Sequence, residues 1–437
     1  MSSSSSSDST TVEEAKFIGS VMAKTVAYCQ NRLGETSRAR PNLRKSPLRR
    51  NHEAGHDRLI EDYFADDAVY AVKFRRRFRM RKELFLRIVG DLEGRFPYFQ
   101  WKMDARGKKG FSPIQKCTAS IRQLAYDMGA DKWDNYFRMS VRTVRDSVYK
   151  FCKAICLVYG QRYLRKPTIN DIHQLYTVHE GKHGFPGMLG SVDCMHWSWA
   201  LCPNAWRAGA NNDINVLDQS PIFNDIYLGK SHDVPFQANR IAYKCGYYLT
   251  DGIYLPLSVF VKSFTCPNDP KRKKFKEAQE SARKDVERAF GVLKRHWQVL
   301  TVGARSYEVK RLRHVMYACI ILHNMILEDE GRAICRYNEN EVLPNVEGVA
   351  VGTQEYRVNR RKVHNRDLHQ ALRADLVEHI YRAYVHPPQE LSYDDDLFDE
   401  SDEDSHMFVE SEDSDNESDA GENDADDVGE DEDDDSE

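Results

Sequence analysis

The sequence predicts an α/β core preceded by an all-helical unit, with a polar tail at each end, and three observations predict it. Two short apolar runs, at 188–193 and 247–251, each end in an aspartate, Asp193 and Asp251. Runs of that length bounded by turn residues read as buried strands. A long amphipathic stretch at 278–300 carries Glu287 and reads as a helix packed on them. Residues 54–180 hold several helical patterns and no comparable strand signal.

From the N-terminus, residues 1–53 are Ser-rich at the start and basic at the end (Arg38, Arg40, Arg44, Lys45, Arg49, Arg50). So few apolar residues imply disorder, apart from a short helix at 12–30. The basic cluster reads equally as a nuclear-import signal or a solvated linker. Within 54–180 the patterns give helices at 114–125, 131–137 and 140–158. The last is the clearest: Ser140 suits an N-cap, and Val141, Val144, Val148, Phe151 and Ile155 form one stripe. Its other face offers Arg142, Arg145, Tyr149 and Lys153. A helix, a short turn and a capped basic helix make a helix-turn-helix candidate, with Arg142 and Arg145 at the end that would enter a major groove. An ordinary solvated face stands beside that reading.

Residues 185–327 form the expected α/β domain, with a helix at 213–228, a basic loop at 267–276 and the helix of Glu287. On that helix Val286, Phe290, Leu293, Trp297 and Leu300 make the apolar stripe. Arg283, Gly291 and Lys294 share the face of Glu287. Lys294 is placed to meet phosphates beside it. Asp285 points elsewhere and reads as a surface charge. Leu368, Leu372, Leu376 and Ile380 then recur every four residues, giving a docking or dimerisation helix within 357–385, most often simple packing. The tail at 391–437 carries 25 acidic residues and no Lys or Arg, so it cannot bury a core and reads as disordered.

Composition narrows the function. The net charge of −5 conceals a basic body with a surplus of 20 positive charges outside that tail. A basic body suits a polyanion, and the tail suits a competitor for the same surface. Ten cysteines are scattered without C-x-x-C spacing, which argues against a zinc or disulfide framework and for reduced thiols inside the cell. No secretory leader or membrane-spanning run is visible. A lysine-bearing phosphate loop is absent, so nucleotide hydrolysis has no support.

An aspartate after an apolar run is usually a turn or cap residue. Three acids in order change the weighing: two at strand ends, a third on a helix, and 35 residues between Asp251 and Glu287. Such acids can converge on a pair of divalent cations and clamp the attacking and leaving oxygens of a phosphodiester. Asp213 is a rival second acid, but it opens a helix, where an N-cap is its natural role. His196 reads as a structural hydrogen-bonding group.

The wording around the acids, FPGMLGSVDCMHW (185–197), CPNAWR (202–207), NNDINVLDQSPIFND (211–225), GYYLTDGIY (246–254), ESARKDVERAFGVLK (280–294) and MYACIILHNMI (316–326), resembles the PIF/Harbinger superfamily of DDE transposases. The likeness to its plant-transposon-protein branch covers roughly residues 50–385. It implies an RNase-H-like nuclease core in which Asp193, Asp251 and Glu287 match the DDE triad, holding Mg²⁺ or Mn²⁺ and cutting double-stranded DNA. It also implies a preceding helical DNA-binding segment, residence in the nucleus with the cytoplasm as a second compartment, and a homodimer or a separate DNA-binding partner protein. One departure matters. The family has a strand–turn–strand stretch between CPNAWR and the asparagine-rich segment, whereas here Arg207 runs straight into Ala208. Without it the strand of Asp193 becomes a sheet edge and the sheet is incomplete. That opens a second reading, a non-catalytic domesticated transposase acting as a DNA-binding or chromatin protein.

Overall fold

A computed structural model describes residues 24, 50–103, 105, 107–127, 134–203, 213–220, 224–230, 233–341 and 348–385. The expected disorder of 1–53 and of 391–437 falls almost wholly outside these residues. The helical unit comprises α1 (His52–Tyr63), α2 (Phe74–Phe78), α3 (Lys82–Arg95), α4 (Pro113–Tyr126), α5 (Asp134–Phe137) and α6 (Val141–Tyr163). Local chemistry sets several starts. Ser112 and Gln115 form a reciprocal capping box with Pro113 in the first turn of α4, and the Ser140 hydroxyl accepts the Thr143 N–H at the head of α6. A helix α7 (Ile169–His183), capped by Thr168 and Asp171, leads into the first strand.

The sheet is small and parallel. Strands β1 (Met188–Val192), β4 (Tyr247–Thr250) and β5 (Phe260–Lys262) lie in the order β1-β4-β5. A separate hairpin, β2 (Phe236–Ala238) and β3 (Ile241–Tyr243), turns at Asn239 and Arg240, both with positive φ. Two such residues are what a tight hairpin turn requires. Its Asn239 amide and Tyr243 hydroxyl both donate to Asp375. Short helices α8 (Asp213–Gln219) and α9 (Asn224–Tyr227) lie between β1 and β2. The single helix expected over 213–228 is thus interrupted, with Ser220 already outside α8. The chain closes with α10 (Pro270–His296), α11 (Val309–Asp329), α12 (Gln354–Val363) and α13 (Arg366–Val385).

Among the described residues β1 has no strand on its outer side, the edge position expected from the shortened sequence. A register shift between Met188 and Gly190 breaks its regularity, and such bulges blunt an edge against pairing. Gly187, at φ 75°, lets the chain turn into β1; a Cβ there would sit 2.2 Å from the Phe236 ring.

Packing divides the chain differently from the ranges 54–180 and 185–327. The helical core gathers Phe78, Phe85, Phe151 and Ile155 together with Leu293, Trp297 and Leu300, and with Ile321, Leu322 and Met325 of α11. A second core joins Tyr247, Leu249 and Val261 of the sheet to Ile172 and Tyr176 of α7, Phe275 and Ala282 of α10, and Leu372, Leu376 and Ile380 of α13. So α10 spans both cores, its first half on the sheet and its second half among the helices. Of the stripe expected on α13, Leu372, Leu376 and Ile380 are buried within the chain itself, the simple packing weighed beside a docking or dimerisation helix, while Leu368 is exposed. Periodicity reports that a helix has an apolar face, not which neighbour meets it.

Between α7 and α10 lies a polar contact. Asp285 pairs with His183 at 2.7 Å and with Arg288 and Lys182. It is therefore an inter-helix tie rather than the simple surface charge expected. One turn back, burial foremost, then His183, lowers the pKa of His179 to about 4. A folded-state pKa below the unfolded value near 6.5 means the unfolded chain binds the proton first. Stability contributed by neutral His179 is full above about pH 6.5 and falls as the pH drops toward 4. His179→Leu should flatten the decline in urea midpoint across that window; an unchanged profile would assign the acid sensitivity elsewhere.

Candidate functional site

The parallel register places two of the expected acids together. Val192 pairs with Thr250, so Asp193 and Asp251 follow adjacent positions at the same end of neighbouring strands, which lie about 4.8 Å apart. The Asp193 side chain is one-fifth exposed, and its Oδ1 accepts the Cys194 N–H at 2.8 Å. Asp251 is exposed and accepts the N–H of Gly252. Both turn on their own backbones, as aspartates do after a strand.

Helix α10 is fastened to that end of the sheet. The buried Gln279 amide donates to the carbonyls of Thr250 (3.1 Å) and Val261 (3.2 Å), the first of them immediately before Asp251. One turn further Arg283 faces β1. Its Nη1 donates to Glu287 Oε1 at 2.7 Å and lies 4.0 Å from Asp193 Oδ2. A guanidinium thus stands between the first and third acids. The Glu287 side chain is 47% exposed, so the pair is partly screened by solvent.

Around this centre, His196 Nε2 lies 2.8 Å from Asp213 Oδ1, and the Tyr254 hydroxyl donates to Cys194 Sγ at 3.4 Å. Burial foremost, with Cys194, Asp193 and Asp213 close by, drives the Tyr254 phenol far above its ordinary range. It is a fixed hydrogen-bond donor, not an acid. Lys294 lies two turns beyond Glu287, half-buried.

Carboxylate oxygens are the right donors for Mg²⁺ or Mn²⁺. The placement serves only part of that role. Asp193 and Asp251 stand side by side, but Glu287 is engaged by Arg283. Among the described residues no three His, Cys, Asp or Glu groups gather where they could hold one ion. The sequence puts Arg283 on the face of Glu287 but gives no sign of its approach to Asp193. The i,i+4 spacing signals only the pair with Glu287.

Arg142 and Arg145 lie far along the chain from this centre, exposed in the first turns of α6. If that helix end meets base edges, Arg142→Ala with Arg145→Ala should weaken binding to a cognate duplex by about 1–3 kcal/mol for each base edge the arginines read. Unchanged affinity and sequence preference in a gel-shift titration would return α6 to a packing role. The basic stretch expected as a loop at 267–276 is instead mostly helical. Asp269 caps α10 and Pro270 occupies its first turn, and Lys271 bonds Glu378 at 2.7 Å. Among the described residues no helix is long and apolar enough to cross a membrane.

Comparison with known proteins bears on the same segment. The family profile described as "Plant transposon protein" matches residues 161–209 and 207–334. The two stretches meet where Arg207 runs into Ala208, so the interruption falls at the shortened place. A domain of unknown function matches residues 55–93. A relative from Bos taurus, "Putative nuclease HARBI1", is 24% identical over 170 residues, 34% of this chain and 48% of that protein. The chain thus aligns with about half the length of this curated relative. No solved structure matches. With the profile spanning β1, β4 and the helix of Glu287 in order, residues 161–334 are similar to PIF/Harbinger-type, transposon-derived and nuclease-like proteins.

Proposed function

We propose that this chain is a DNA-acting endonuclease of Harbinger type, with an RNase-H-like core, whose cutting centre is Asp193, Asp251 and Glu287. The observation that carries the reading is the register of β1 and β4, which sets two carboxylates side by side with α10 pinned above them by Gln279. Mg²⁺ or Mn²⁺ bound there would stabilise charge on a phosphodiester and activate the attacking oxygen. The chain's own contribution is to hold the acids, and Arg283 must release Glu287 before all three can serve one centre. Double-stranded DNA is then the substrate, which suits the basic body, and the nucleus is the compartment. A homodimer or a separate DNA-binding protein would supply site selection if α6 does not.

A specific observation favours a second reading. With β1 at the sheet edge and Arg283 on the acids, the scaffold is less constrained than ligands held to about 0.5 Å require. Cutting is then weak or lost, and the chain is a DNA-binding or chromatin protein. Incubation with supercoiled plasmid and Mn²⁺ separates the two. Nicking that disappears in Asp193→Asn supports the endonuclease, whereas duplex binding without any nicking supports the second.

A further inference from the structure

Helix α12 and the residue that caps it present four basic groups around one open cleft of about 380 Å³: Arg357, Arg360, Arg361 and, at the cap, His364. Their spacing of three, four and seven residues puts them on one helical face. Several basic side chains near the sheet are matched by carboxylates: Arg283 with Glu287, Lys271 with Glu378, Arg165 with Asp171. No ion pair or side-chain hydrogen bond holds the three guanidinium groups of the cleft among the described residues. Cations in the last turn of a helix complement its dipole, which accounts for Arg360 and Arg361. Arg357 sits in the first half of α12, where that dipole is unfavourable to it. Three exposed guanidinium groups on one face, one of them away from the favourable helix end, make a surface suited to an anion.

The platform beneath them is firm. Ring stacking of His364 on Tyr227 (6.1 Å, 7°) and the Asn359 amide donating to the Tyr227 carbonyl fix α12 to α9. The Val363 carbonyl accepts the Ser258 N–H at 2.7 Å, and its side chain is buried with Tyr254, Leu257 and Phe260. Val192 and Cys194, flanking Asp193, pack on the same cluster. The basic cleft and the acid centre therefore share one apolar footing.

We infer that the Arg357–Arg360–Arg361–His364 cleft is a phosphodiester-binding subsite that grips the backbone of duplex DNA beside the acid centre. This rests on the DNA-acting reading above. Guanidinium forks match phosphate oxygens in pairs, and an exposed cleft lets a continuous strand pass. Such contacts position DNA without reading its sequence.

The test uses the full chain carrying Asp193→Asn, so that no cutting intervenes, and a labelled duplex of arbitrary sequence titrated by fluorescence anisotropy across a salt series. Arg357→Gln, Arg360→Gln and Arg361→Gln together should reduce the slope of log affinity against log salt by about 2 to 3, near 0.9 for each phosphate no longer neutralised. Neutralising Lys73, Arg75 and Arg76, three exposed cations on or beside α2, should change it far less. Circular dichroism and thermal melting verify that each variant is folded. An equal fall in both triple variants, or an unchanged slope, overturns the subsite. A triple variant that loses affinity for poly-glutamate while keeping its DNA slope also overturns it, giving the cleft to the chain's own acidic tail. A parent chain that binds no duplex at any salt sinks the DNA-acting reading itself and the cleft with it. A parent that binds with an unaltered slope in the variant sinks the cleft alone.

Discussion

Trp297→Ala should destabilise the folded chain by about 3–5 kcal/mol, the range for truncating a large buried aromatic. Trp297 is fully buried at the end of α10, and its backbone N–H donates to the Leu293 carbonyl. It packs in the core shared with Phe151, Ile155, Leu322 and Met325, elements from both sides of the sequence. Surrounding helices that are fixed elsewhere cannot collapse into the vacated space, so the cavity cost adds to the lost transfer energy. Against a typical domain stability of about 5–15 kcal/mol this is a large fraction. Urea denaturation followed by tryptophan-independent circular dichroism measures it. A loss below about 1 kcal/mol would mean the second half of α10 is not held by this core. The consequence reaches the acids as well, because Glu287 lies between the Trp297 anchor and the Gln279 clasp.

How much of this is legible in the sequence depends on which physics each element obeys. Strands β1 and β4 are readable because a short apolar run ended by aspartate has few alternatives, and both end one residue before the acid. Helix α6 is readable from its Ser140 cap and its stripe, although it continues to Tyr163. The start of α10 resembles a loop because its lysine run suggests solvent, although Asp269 and Pro270 spell a cap and a first turn. Val286 and Phe290, expected in the stripe, are half-buried, since the helix changes partner between the two cores at that point. That change of partner is not legible. Nor are the joining of α11 to the helical core and of α13 to the sheet, because these depend on contacts between distant segments. The site shows the same division. Its acids follow from local pattern, whereas the guanidinium between Asp193 and Glu287 follows from the crossing of α10 over β1.

Asp193→Asn should lower Mn²⁺-supported nicking of supercoiled DNA by at least about a hundredfold. Loss of a partner that merely orients a metal ligand costs about 10–100-fold in metal affinity or activity, and loss of a ligand exceeds it. The substitution is nearly isosteric, so its side-chain oxygen can still accept the Cys194 N–H and the turn after β1 survives. What disappears is one negative charge, leaving the neighbouring Arg283 with Glu287 as its remaining carboxylate partner of the two. Asp251→Asn should act in the same direction, because its carboxylate occupies the equivalent place on the adjacent strand. Asp213→Asn serves as the contrast. Its carboxylate is paired with His196 at the head of a short helix, and its loss should leave nicking within a few-fold of the parent. Equal losses at all three aspartates would point to general electrostatics around Tyr254 rather than to a centre at the strand ends. Nicking that persists in Asp193→Asn would remove the acid centre from the mechanism altogether. If the sheet edge beside β1 and the Arg283–Glu287 pair slow the proposed cutting, the expected ranking still holds, since neither changes which carboxylates the proposed centre needs.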